Sequence, residues 1–235
     1  MNNWVLLSLL MAHILGDFYL QNDKYCKDKA ESKIKSPFLY IHSIIIGLLS
    51  WAFIPSSDFG IFALLIFITH LLIDAIKSYM CKGLFPFLID QIAHVVILCF
   101  IAHIYDSQQH LPIQNIDILN SISIPVAVLA SLWCLKPTNI IIKLTLERYK
   151  IGKTESCESI KNAGALIGNL ERIIAFAFVL IGQYEAVGFI IAAKSLLRFK
   201  DTDTAKTEYV LAGTLLSFGI ATLCAILTKM ISTSL

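Results

Sequence analysis

Charge is scarce in this chain. Asp, Glu, Lys and Arg make up 15% of its 235 residues, against about a quarter in an ordinary soluble domain. Hydrophobic residues reach 57% and the mean hydropathy is +0.72. A water-soluble fold of this size would have to leave large apolar patches exposed, so a soluble globular domain is excluded and lipid is the expected solvent. The six cysteines, Cys26, Cys81, Cys99, Cys134, Cys157 and Cys224, include no CxxC pair. That absence argues against a zinc ribbon or a thioredoxin-like motif and leaves free thiols as the expectation. The first apolar run has no basic leader and no small-residue cleavage site, and it carries His13 and Asp17, so it reads as a retained span rather than a signal peptide. Solenoid repeats and low-complexity tracts are missing too.

What is present is a series of apolar runs near the roughly 20 residues that a spanning helix needs. They fall at about 4–20, 38–55, 59–79, 86–105, 118–135, 163–183, 185–199 and 208–229. The expected fold is therefore an all-α, polytopic transmembrane helix bundle of about seven to eight spans. An N-terminal four-helix part, 1–110, would precede a C-terminal part, 111–235. The run over 185–199 is short enough to re-enter rather than cross. Between the fifth and sixth runs, residues 138–150 mix Ile and Leu with Lys143, Glu147, Arg148 and Lys150, the pattern of an amphipathic helix on the cytoplasmic membrane surface.

Basic residues alternate in register with these runs. The stretch 21–37 holds Lys24, Lys27, Lys29, Lys33 and Lys35, and 136–161 holds six more Lys or Arg, whereas 55–58 and 106–117 hold none. By the positive-inside rule the basic loops face the cytoplasm and both termini face out.

Three runs carry a histidine and an aspartate four residues apart: His13–Asp17, His70–Asp74 and, in reversed order, Asp90–His94. His42 stands near the start of the second run. Such pairs share a helix face. Given the alternating direction of the runs, all seven side chains reach one level, about one to two turns below the cytoplasmic surface. Ionisable groups in a bilayer face the protein interior, paired or ligated. Imidazole and carboxylate suit a divalent metal, zinc first, with manganese or iron possible on the same donors. Seven candidates exceed the needs of one zinc. The surplus suits two ions sharing an aspartate, or one ion with Asp17 or Asp90 left over as a general base. The bland alternative is a set of hydrogen-bonded structural pairs or a proton path. Gln21 and Gln91 are expected as hydrogen-bond partners, and His103 and His110 as interfacial or loop residues.

A second set of charges comprises Lys77, one turn beyond Asp74, with Arg172 beside Glu171, and Lys194 with Arg198 four residues on. Cations beside a metal would hold an anionic substrate, a phosphate or pyrophosphate. They could equally snorkel to headgroups or pair with Glu171. Nothing in the charge pattern points to nucleic acid; membrane lipid is the expected partner.

The strings MAHILGDFYLQ, ITHLLIDAIKS and FLIDQIAH resemble the domain-of-unknown-function family 3307, bacterial multi-pass membrane proteins, over about residues 8–105. The stretch IGNLERIIAFAFVLIGQYEAVGFIIAAKSLLRF resembles an extension carried by some members. The resemblance implies a shared intramembrane polar site in the bacterial inner membrane and supplies no activity. A looser likeness links the chain to membrane-bound metal-dependent hydrolases, by analogy of fold. Hydrolysis of a phosphorylated lipid or other amphiphilic phosphoester at the cytoplasmic face is the leading expectation. Divalent metal transport through HxxxD ligands and a non-catalytic module with a structural metal are the competitors.

Overall fold

The computed structural model describes residues 3–108, 123–151, 158–197 and 204–234. Among these residues the chain is almost entirely helical and has no strand. It divides into two compact units, Met1–Asn120 and Ser121–Leu235.

The first unit runs α1 (Asn3–Ile14), a π-helical turn (Leu15–Tyr19), α2 (Asp23–Ser32), a 3-10 turn (Lys33–Lys35), α3 (Pro37–Phe53), α4 (Gly60–Lys77) and α5 (Leu84–Gln108). The basic stretch 21–37 is thus not a plain loop. Asn22 caps α2 by accepting a hydrogen bond from the Lys24 N–H at 2.6 Å, which satisfies one of the otherwise unpaired first-turn donors. Its polar sequence gives no apolar period by which a helix could be read. The α2 end lies 88° from the line of the first helix. Pro37 opens α3, where its missing N–H costs nothing.

Contacts α1–α3, α3–α4, α4–α5 and α1–α5 close four helices into a ring. Their buried positions repeat at three and four residues: Phe62, Ile66, His70 and Asp74 on α4, and Asp90, His94, Leu98 and Ile101 on α5. Val5, Leu9, Ile46, Ile66, Leu98 and Tyr105 belong to one apolar core. Close approach needs glycine at two points. A Cβ on Gly16 would collide with the Ile46 side chain, and one on Gly47 would stand 3.0 Å from Phe67 Cβ and 3.2 Å from the Ala63 carbonyl. Small residues at such crossings let membrane helices pack backbone to backbone.

The outward faces are apolar. Ile61, Leu64, Ile68, Leu72 and Ile76 on α4, and Ile89, Ile92, Val96 and Phe100 on α5, are all exposed. Stripes of this kind would drive aggregation in water and suit lipid. This is a helical membrane protein. Four segments are long and apolar enough to cross a bilayer: Gly60–Lys77, Leu84–Gln108, Ile124–Arg148 and Thr207–Ser232. A fifth is added if the bent pair Trp4–Tyr19 and Lys24–Lys35 counts as one span. Among the described residues the count falls short of seven to eight: α3 has 17 residues and α9 has 14, and α8 is not among the qualifying segments.

The second unit comprises α6 (Ser123–Cys134), α7 (Lys136–Arg148), α8 (Glu158–Leu180), α9 (Tyr184–Leu197) and α10 (Thr204–Ser234). α10 packs on α6, α7 and α8 around Cys134, Ala175, Phe176, Val179, Phe218, Ala221 and Ala225. α7 follows α6 directly through Leu135, and Ile124–Arg148 together make a 25-residue segment that includes an apolar window of spanning length. Pro137 at its start interrupts the backbone ladder without ending the run, and the Thr138 hydroxyl donates to the Trp133 carbonyl at 2.8 Å. Cys26, Cys81, Cys99, Cys134 and Cys224 are free thiols. Cys157, His110 and Arg198 lie outside the described residues.

Candidate metal centre

α1 and α4 each run from apolar core positions to their His–Asp positions, whereas α3 and α5 run from His42 and Asp90–His94 toward the core. The ring therefore has an apolar layer and a polar layer. Four of the six histidines lie in the polar layer and are buried: His13, His70 and His94 are each 3% exposed, His42 7%. Ring centroids lie 4.1 Å apart for His70 and His94, 5.0 Å for His42 and His70, 5.1 Å for His13 and His94, and 5.8 Å for His13 and His70. The convergence expected from spacing and depth is present.

The partners within it differ from those that spacing implies. Asp17 lies in the π-helical turn, where the Leu20 N–H reaches back five residues to the Leu15 carbonyl at 2.9 Å. Wider turns of this kind recur at functional sites. Here the turn leaves Asp17 Oδ1 3.7 Å from His13 Nδ1 and carries it to 3.2 Å from His42 Nε2 and 3.5 Å from His70 Nε2. His42 Nε2 and His70 Nε2 face each other at 3.1 Å. His70 thus turns toward α3 and α1, while its neighbour Asp74 pairs with Lys29 Nζ at 2.6 Å and stands 3.8 Å from His42 Nε2. Lys77 reaches across to Asp90 Oδ2 at 2.5 Å. Gln91 donates to Asp90 Oδ2 at 3.0 Å and to Asp17 Oδ2 at 3.3 Å. His94 Nδ1 donates to the Asp90 carbonyl at 2.9 Å; that bond fixes the tautomer and leaves Nε2 with its lone pair.

Several buried atoms have no hydrogen-bond partner: both ring nitrogens of His13, His94 Nε2, Asp17 Oδ1, Asp90 Oδ1 and Gln21 Nε2. Buried polar atoms are rarely left so. The Asp17–His42–His70 triangle has a related problem. A neutral imidazole nitrogen either donates or accepts, so with Asp17 ionised no proton placement makes all three edges attractive. A cation at the centre would. Edges of 3.1, 3.2 and 3.5 Å match the roughly 3.3–3.4 Å separation of donors in a tetrahedron with bonds of about 2.0–2.1 Å. Three donor groups have their ligand atoms within 4.8 Å of one another: His13, Asp17 and His94; Asp17, His42 and His70; His70, Asp74 and His94. The residues present therefore fit a divalent ion. Of the groups here, sequence reasoning overlooked Lys29, whose only legible signal was its place in a basic stretch.

The family model described as a protein of unknown function (DUF3307) matches residues 5–122, half of the chain. The chain belongs to this family. The DUF3307 match and the first compact unit nearly coincide, and every member of the histidine cluster lies inside both. No curated protein and no solved structure matches the chain.

The other cations lie in the second unit, beyond the DUF3307 match. Arg172 is 2% exposed. Its guanidinium donates to the Cys134 carbonyl at 2.5 Å, Ser217 Oγ at 2.9 Å, Asn139 Oδ1 at 2.5 Å and Asn169 Oδ1 at 2.6 Å. Lys194 Nζ bonds Glu171 Oε2 at 2.6 Å. Both cations are thus engaged within their own unit.

Proposed function

We propose that the DUF3307 unit is a membrane-embedded, metal-dependent hydrolase whose divalent ion, zinc first by donor chemistry, is held by His13, Asp17, His42, His70, Asp74, Asp90 and His94 in various shares. The observation that carries the reading is the Asp17–His42–His70 triangle, with ligand-like spacings and no proton arrangement that satisfies an ionised Asp17. A metal there would lower the pKa of a bound water and polarise a phosphoryl oxygen. Lys29 and Lys77, already at the cluster on Asp74 and Asp90, supply the positive charge that an anionic headgroup needs. The substrate class is a phosphorylated lipid or another amphiphilic phosphoester, approached from the cytoplasmic face of a bacterial inner membrane. The short helices α3 and α9, the break-containing α1–α2 pair and α8 would bring the spans to eight, or to seven if α9 re-enters.

The test starts with metal analysis of the detergent-purified full chain, followed by release of phosphate from a long-chain alkyl phosphate in mixed micelles. Stoichiometric metal, lost in His70→Ala together with turnover, supports the reading; a metal-free protein removes it. A second reading draws on one observation. The cavity lined by His13, His70, His94, Ile66 and Leu98 has a volume of only about 10 Å³, room for about one water or ion and none for a phosphoester. Divalent metal transport would need no more. Vesicle uptake of zinc that Asp74→Ala abolishes, without any phosphate release, would favour transport.

A further inference from the structure

A single ion at the Asp17–His42–His70 triangle leaves most of the cluster unexplained. It would take no atom from His13 or His94, yet those two rings carry three of the unpartnered buried nitrogens. They stack at 5.1 Å, and His94 is already oriented by its Nδ1–H bond to the Asp90 carbonyl. An orienting bond on the far nitrogen is the usual arrangement behind a metal-binding imidazole.

We infer that the centre holds two divalent ions bridged by Asp17: one on His42 and His70, the other on His13 and His94. Asp17 Oδ1 is the atom common to both sides, 3.2 Å and 3.5 Å from the first pair of nitrogens and 3.7 Å from His13 Nδ1. The two donor groups, Asp17–His42–His70 and His13–Asp17–His94, share only that residue. Asp17 stands in the π-helical turn, out of the α-helical register of His13. Bridged two-metal centres have spacings of about 3.5–4 Å, compatible with rings 4–6 Å apart. Lys29 and Lys77 stay on Asp74 and Asp90 and keep these carboxylates out of the bridge. With two ions beside two ammonium groups the pocket is strongly cationic, so a small anion such as hydroxide completes it. The inference rests on the metal reading above and fixes its nuclearity.

The deciding experiment is metal titration of the purified full chain with Mn²⁺, read by metal content and by electron paramagnetic resonance. Two ions per chain with an exchange-coupled spectrum are expected. In His42→Ala and His13→Ala the content should fall to one ion with an uncoupled spectrum, and in Asp17→Ala the coupling should vanish. One ion per chain with an uncoupled spectrum in the unaltered protein overturns the two-ion inference and leaves the metal reading standing. No bound ion overturns both. Because the unaltered protein decides the count, a variant that fails to fold does not blur the outcome.

Discussion

The two units bury polar groups among apolar helices in opposite ways. In the second unit Arg172 is enclosed and four acceptors from α6, α7, α8 and α10 meet its guanidinium. In the first unit seven ionisable residues share one level of a four-helix ring, and His13, Asp17, Asp90 and His94 keep atoms with no partner. A satisfied buried group holds helices together; an unsatisfied one costs stability unless something else binds it. The contrast separates a structural device from a binding one on physical grounds, without appeal to what either does in the cell.

The sharpest way to break that comparison is to remove one member from each side. Arg172→Met should cost on the order of 3–4 kcal/mol, because it strands the Asn139, Asn169 and Ser217 partners in a dry interior. Metal content should be unchanged. His94→Ala should do the reverse, lowering the metal content while moving the melting temperature of the metal-free protein little. If Arg172→Met removes metal, or His94→Ala unfolds the metal-free chain, the division fails.

A somewhat smaller effect is expected at Lys29. Lys29→Met leaves Asp74 buried without its cation, a loss of about 3 kcal/mol that thermal unfolding of the metal-free protein would register. Added zinc should restore more stability to this variant than to the unaltered chain, since Asp74 then turns to metal. An equal zinc response in both would mean that Asp74 takes no part. Gly47→Val sharpens the comparison at the α3–α4 crossing, where the nearest atoms are Phe67 Cβ and a carbonyl. Overpacking there should cost about 1–3 kcal/mol and, by spreading the ring, weaken metal retention. Smallest of all is Lys143→Ala. Its ion pair with Glu147 is 4.0 Å long and exposed, and the melting temperature should shift by no more than the equivalent of about 0.5 kcal/mol.

Much of this arrangement was legible beforehand. Apolar runs, spaced His–Asp pairs and alternating basic stretches locate most helices and place seven side chains at one depth, because helical periodicity and lipid exclusion act locally along the chain. Partner identity was not legible. Four-residue spacing pairs His70 with Asp74, yet His70 turns to His42 and Asp17 while Asp74 takes Lys29. Spacing also made Arg172 a substrate cation, where Asn139, Asn169 and Ser217, residues from three different helices, enclose it. Lys29 went unnoticed because its role depends on α2 turning back 88°, and a polar helix announces no direction.

The amino-acid order by itself determined that this is a helical membrane protein and that four of its histidines and three of its aspartates gather in one layer; hydrophobic content and a fixed rise per residue are enough for that. Only the packed ring decided which nitrogen meets which oxygen. That choice depends on the π-helical turn at Asp17, on glycine-permitted crossings and on helix rotations of a fraction of a turn, and all of these arise from contacts between segments far apart in the chain.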